Sequence, residues 1–403
     1  MVDRRLNSVG CPPILFIVCA MFTYSSFGHA ILYHFDFPIF SGIRTDYIPE
    51  ALALSIVALA ALVFAGAIVL LNLSRKTHIS ELSASLSSKT HNKAVSTYLL
   101  IAVSLVLFAV SVNILAVFAF TGFWDLPKLT KLAYVGPNHY ILLLMWMVSF
   151  VVCLAQSWRL NAYIIASFLF FSFYCLLMSE RDFVFAGLAM ALVALKGRAI
   201  SGTSMVVLPA VFLVLVTLLS GGRGGNFDSS FWISSLSQGS NLFVNTYVIE
   251  FIDSGGDMRL GETLLSSIVS TATFGFFEGS GSLSNWLVNS YARGSNSGYG
   301  FSLEAEGYLN FGYFGVFVAF FLIGYIVTWA AASTSSDRLM PRLVYVWGTT
   351  FLLYQLRQES LTVIKTLWLC IFVAGVVGVL AILLRPVLKR PSNHRRSSAF
   401  VEI

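Results

Sequence analysis

Apolar stretches of about twenty residues, the length a helix needs to cross a lipid bilayer, recur from one end of this chain to the other. Of its 403 residues, 57% are hydrophobic and only 11% are charged, a balance far from that of an ordinary soluble domain. The pattern predicts an all-α, polytopic membrane protein with about ten spans. They are placed near Pro13–Tyr33, Ile48–Leu71, Thr97–Phe120, Tyr140–Ser157, Ala162–Met178, Phe183–Leu195, Thr203–Ser220, Tyr308–Ala332, Leu343–Tyr354 and Leu361–Leu384. Arg4 and Arg5 precede the first stretch, which is read as a span and not as a cleaved leader. The expected organisation is spans one to seven over 1–220, a large outer loop over 221–307, spans eight to ten over 308–384 and a basic tail over 385–403.

Orientation follows from Lys and Arg. With the N-terminus inside, sixteen of the 25 fall in inward segments, so both termini are expected in the cytoplasm of a plasma membrane. The formal charge of +6 then reflects this bias and a tail facing an anionic leaflet, and it argues for no nucleic-acid partner. Cys11, Cys19, Cys153, Cys175 and Cys370 lie in or beside spans, which leaves the outer loop without a disulfide framework.

Two connections are long. The inner one, 72–96, is rich in Ser, Lys and His, lacks apolar periodicity and reads as a solvated connector. The outer one, Gly221–Gly307, carries helical-period stretches at Asn241–Asp253 and Glu262–Phe277, which predicts a small, partly amphipathic layer outside the membrane. Gly/Ser-rich joints at 221–225, 279–282 and 294–300 divide it.

Several chemistries are excluded by inspection. The chain has no G-x-x-x-x-G-K-[ST] loop, no H-E-x-x-H helix, no G-x-S-x-G turn and no D-x-D pair, so neither a metal nor another cofactor is expected. Ion-coupled transport fits poorly, because Lys365 is the one Lys or Arg inside the spans and lies close enough to an end to snorkel.

Charges gather instead at the outer face. Arg181 lies between spans five and six, Arg223 follows span seven, Arg293 precedes a glycine-rich joint, and Arg357 lies between spans nine and ten. A guanidinium grips phosphate oxygens with a two-pronged fork, so four at one depth suit the diphosphate head group of a lipid. Each could instead pair with a neighbour such as Glu180, Asp182 or Glu359.

The complementary group is an acidic helix start. If Ser302 caps span eight, Glu304 and Glu306 fall in its first turns, where negative charge suits the helix dipole. Two residues are about 200° apart around a helix, so both carboxylates cannot serve one site. Ser302, Glu306 and Asn310 recur every four residues, with Tyr313 a turn further on, which directs Glu306 to a polar interior and leaves Glu304 toward the loop. Glu306 is therefore the candidate base, since desolvation in a cleft strengthens a carboxylate as a base.

The run G-Y-G-F-S-L-E-A-E-G-Y-L-N-F-G-Y-F-G-V resembles the signature of the Wzy-type O-antigen polymerases, in which Ser-x-x-x-Glu-x-Tyr-x-Asn-Phe-Gly opens a late membrane helix. It falls here on Ser302, Glu306, Tyr308, Asn310, Phe311 and Gly312. Looser similarities are Gly261-Glu262-Thr263 as a Gly-x-Thr element, the Arg181 turn, and Arg357 with Ser360 as a late Arg-x-x-Ser hairpin. One departure is the absence of Pro from Ser266–Phe277.

The resemblance implies a GT-C-like, metal-independent glycosyltransferase. Such an enzyme transfers a growing glycan from undecaprenyl diphosphate to a new lipid-linked oligosaccharide unit at the periplasmic face of the bacterial inner membrane. Glu306 would act as base, Arg181, Arg223, Arg293 and Arg357 would hold the diphosphate, and Ser302, Tyr308 and Asn310 would support them. A one-step displacement with one base implies inversion. Membrane lipids, and a chain-length regulator in the same membrane, are further partners the resemblance suggests. An O-antigen ligase would be expected to carry a His-Asn pair in the large loop, yet all six His lie outside 221–307. A lipid-linked sugar flippase would need a polar path through the spans.

Overall fold

The computed structural model describes residues 13–36, 42–76, 128–135, 162–178, 241–273, 282–291, 300–333 and 358–368, with short stretches or single positions at 111–112, 114–116, 119, 146, 187, 276–277, 344–345, 347–348, 356, 371–372 and 379. Every described element is helical. In chain order they are α1 (Pro13–His34), a 3-10 turn (Thr45–Tyr47), α2 (Ile48–Lys76), α3 (Lys128–Val135), α4 (Ala162–Leu177), α5 (Asn241–Asp253), α6 (Glu262–Ala272), α7 (Leu283–Tyr291) and α8 (Leu303–Ser333). A further helical stretch begins at residue 360.

Among the described residues two helices, over Thr45–Asn72 and Leu303–Ala332, are long and apolar enough to cross a membrane. Helices α1, α2, α4 and α8 coincide with predicted spans one, two, five and eight. Spans three, four, six, seven and nine lie wholly or mostly outside the described residues, and span ten is described chiefly over 361–368.

The core of the described structure is the pairing of α2 with α8. Along α2, Ala51, Leu54, Ala58, Ala61, Leu62 and Ala65 are fully buried, at the three- and four-residue spacing of one helix face. Their small side chains let the partner backbone approach closely, as packing without a strong hydrophobic drive requires. The opposite side is no less apolar: Ile56, Val63, Phe64 and Leu71 on α2 and Phe314, Leu322 and Tyr325 on α8 are exposed. An apolar outer surface on an apolar helix suits lipid, because in water each exposed Å² would carry about 25 cal/mol of unrelieved transfer free energy. Phe22 of α1 packs edge-on against Phe320 of α8 with ring centroids 5.1 Å apart, closing a three-helix contact.

α8 is not one straight rod. Phe311 (φ −142°, ψ 21°) and Gly312 (φ 62°, ψ −149°) leave helical geometry, so a short first helix, 303–310, turns sharply into a longer second one. Gly312 occupies a backbone region essentially closed to other residues. Gly315 then passes so near Gly307 that a Cβ there would collide with the Gly307 carbonyl oxygen. The Phe311-Gly312 pair that closes the Ser-x-x-x-Glu-x-Tyr-x-Asn-Phe-Gly pattern is therefore a helix break. It also corrects the expectation that Tyr313 continues the stripe of Ser302, Glu306 and Asn310, since the period does not survive the break; Tyr313 is 41% exposed and packs on Tyr308.

Helices α5 to α7 form less of a separate layer than their sequence suggested. The first half of α5 is buried all round, from Asn241 to Thr246, because it is inserted among α1, α2 and the start of α8. Phe243, Val244 and Val248 of α5 form one apolar cluster with Leu283 and Leu287 of α7 and with Phe301, Ala305 and Leu309. Trp286 is central to it, with ring contacts to Phe251, Tyr247 and Phe301 at 5.2, 6.1 and 6.2 Å. Tyr247 and Trp286 thus serve the loop core.

Candidate functional site

The short helix 303–310 carries both carboxylates. Its start is fixed by Ser302, whose Oγ accepts the Ala305 N–H at 3.0 Å in an N-cap. The cap takes Ser302 out of the stripe proposed for it: its backbone lies before the helix, and its hydroxyl donates to Asn245 Oδ1 of α5 at 2.7 Å, on the side where Glu304 lies.

Glu304 and Glu306 diverge, as their spacing requires, into two separate nests. Glu304 meets the loop segment only through Asn245 of α5 and is otherwise completely buried against α1 and α2. Ser26 Oγ of α1 donates to Oε1 at 2.5 Å, Ser55 Oγ of α2 donates to Oε2 at 2.8 Å, and Asn245 Nδ2 of α5 donates to Oε2 as well. All are neutral, so the carboxylate is held without a cation among its hydrogen-bond partners. Inward-facing hydroxyls on two apolar helices drew it in, and nothing in the sequence tied those serines to this glutamate.

Glu306, 1% exposed, faces the other way. Thr263 Oγ1, in the first turn of α6, donates to Oε1 at 2.9 Å. Ser360 binds twice, through Oγ to Oε1 at 2.6 Å and through its backbone N–H to Oε2 at 2.5 Å. That N–H belongs to the first residue of a helix, so the carboxylate also meets the positive end of a helix dipole. A carboxylate offers about four lone-pair positions, and these three bonds leave one on Oε2.

Asn310 completes the nest from one turn further on. Its Nδ2 donates to Thr263 Oγ1 at 2.7 Å and to the Glu306 carbonyl at 2.8 Å, and its Oδ1 accepts the Gly261 N–H at 2.8 Å. Arg259 N donates to Leu309 O at 3.0 Å, so the turn before α6 is clamped onto the end of the first helix of α8. Gly261 has φ +93°, which the Gly-x-Thr element supplies without strain. Ser267 donates to Thr263 O at 2.8 Å and lies 3.1 Å from Ser360 Oγ, extending the hydroxyl network along α6.

Of the residues singled out from sequence, Glu306 and Asn310 come together. Ser302 joins the Glu304 side, and Tyr308 packs against apolar clusters and Tyr313. Arg181, Arg223, Arg293 and Arg357 lie outside the described residues. Glu359 does not pair with a cation among its described contacts; it takes Ser282 Oγ at 2.6 Å and the Leu283 N–H at 2.5 Å, capping α7.

Thr263 and Ser360 were not among the site residues, although both stood inside the looser quoted similarities. His29 was also passed over: it is 2% exposed, one turn beyond Ser26, and neither ring nitrogen has a hydrogen-bond partner. Its signal was an imidazole inside an apolar span. Comparison with protein-family models, curated proteins and solved structures found no match for this chain.

Proposed function

We propose that this chain polymerises oligosaccharide repeat units carried on undecaprenyl diphosphate, by glycosyl transfer at the periplasmic face of a bacterial inner membrane, within a bundle of about ten spans. One observation carries the reading. The Gly-x-Thr element, the Glu-x-Tyr-x-Asn-Phe-Gly run and the Arg-x-x-Ser hairpin lie apart in sequence, yet Thr263 of the first and Ser360 of the third both donate to the buried carboxylate of Glu306 in the second.

The chemistry suits such a nest. In the proposed step the incoming sugar hydroxyl gives its proton to Glu306 Oε2 while its oxygen bonds to the anomeric carbon. The bond from that carbon to the diphosphate oxygen breaks on the opposite face, and the diphosphate leaves with the electron pair. Arg181, Arg223, Arg293 and Arg357 are proposed to take up that charge, Arg357 being three residues from Ser360 in sequence. Thr263, Ser360 and Asn310 hold the base in one orientation, which spares the reaction the entropy of arranging it.

The test is the glycan profile of a strain lacking the gene, with and without the intact gene restored. Accumulation of glycan with a single repeat unit supports the polymerase. Loss of every repeat unit would overturn it in favour of a ligase or flippase.

A further inference from the structure

Helix α6 is amphipathic in the inverse sense. Its buried residues are Thr263, Ser267 and Thr271, a polar stripe at four-residue spacing turned into the protein. Its outer side carries Leu265, Ile268 and Val269, exposed at 63, 52 and 40%. Leu260 before it and Phe276 and Phe277 after it are 73, 88 and 67% exposed. A helix on a water-facing surface buries its apolar side and shows its polar one. Here Thr263 and Ser267 of the polar side are committed to the Glu306 network, and the apolar patch is left outside.

That patch is continuous with the flank of a membrane-length helix. Gly261 lies against the ring of Phe311, so closely that a Cβ would come 3.0 Å from it. Phe311 and Phe314 are 42 and 71% exposed, and Leu322 carries the apolar surface on along Leu303–Ala332. Beside that contact Arg259 and Glu262 form a half-exposed pair at 3.4 Å, a polar rim at the helix start. An apolar side beside a charged rim, continuous with a spanning helix, matches a helix lying in the interfacial layer of a bilayer.

We propose that α6, with Leu260, Phe276 and Phe277, is embedded in one leaflet with its apolar side on acyl chains. The Glu306 nest is then bounded on one side by a helix whose outer surface is lipid, which places the buried carboxylate close to where a lipid-borne head group arrives. Lipid contact follows from the exposed apolar side alone and goes beyond the glycosyl-transfer reading; either can fail without the other.

The test uses the full chain in phospholipid nanodiscs, with the native cysteines replaced and a bimane label on single cysteines from Leu265→Cys, Ile268→Cys, Phe276→Cys and, as a polar reference, Asp257→Cys. Spin-labelled phospholipid is expected to quench the first three and spare the fourth, and aqueous iodide to do the reverse. Iodide quenching at 268 equal to that at 257 would overturn the proposal, as would protection of all three apolar sites from both quenchers, the mark of a protein partner. Should the cysteine-free chain not fold, the native chain is photolabelled in the same discs by a diazirine phospholipid. Adducts on 265–269 are expected; their absence while 314–322 is labelled overturns the proposal.

Discussion

Two carboxylates two residues apart, each buried and each taking three hydrogen bonds from neutral donors, end in different kinds of place. The donors of Glu304 come from the middle of helices, Ser26 in α1, Ser55 in α2 and Asn245 in α5. The donors of Glu306 come from helix beginnings, Thr263 in the first turn of α6 and Ser360 at the start of its own helix. Mid-helix donors are fixed by packing on both sides, so Glu304 acts as a polar pin through the bundle. Helix beginnings border turns, where binding and catalytic groups gather and where local movement comes easily. Identical chemistry thus suits a structural role at Glu304 and the proposed reactive role at Glu306.

The comparison breaks most visibly in stability if Glu304 is removed. Glu304→Ala leaves the hydroxyls of Ser26 and Ser55 and the amide of Asn245 without their shared buried acceptor, a loss of roughly 3 kcal/mol or more. The expected readout is a sharply lower yield of folded protein in membranes and a depressed thermal midpoint in detergent; an unchanged midpoint would remove the pin. Gly312→Ala forces a side chain into a glycine-only backbone region and should destabilise by about 1–3 kcal/mol, measured the same way.

Smaller changes sharpen the Glu306 side. Thr263→Val keeps shape but deletes both the bond to Glu306 and the acceptor for Asn310, and should cost about 1–2 kcal/mol together with shorter glycan chains on gels. Ser360→Ala removes only the hydroxyl and leaves the backbone N–H on Oε2, so about 1 kcal/mol and a partial loss of chain length are expected.

Much of this is legible in the sequence, where the physics is local. Apolar run lengths located α1, α2, α4 and α8, and the N-cap at Ser302 and the divergence of Glu304 from Glu306 follow from helix geometry. Three things were not legible. The stripe through Tyr313 assumed a continuous helix, and the break rests on a close Gly307–Gly315 approach that only tertiary folding produces. The burial of Glu304 against α1 and α2 is hidden because Ser26 and Ser55 lie more than two hundred residues away, and serines in apolar helices look alike in sequence. The inverse amphipathicity of α6 escaped because periodicity shows that two sides differ and not which one faces inward.

The most direct measurement compares Glu306→Gln with Glu304→Gln, each restored to a strain lacking the gene, reading membrane protein level and glycan chain length together. With Glu306→Gln, normal protein levels with glycan arrested at a single repeat unit are expected, a drop in transfer on the order of 10²–10⁴-fold for a lost general base. With Glu304→Gln, reduced protein level should account for any loss of chain length. Glycan of normal length from Glu306→Gln would contradict the assignment of the reactive role to that carboxylate.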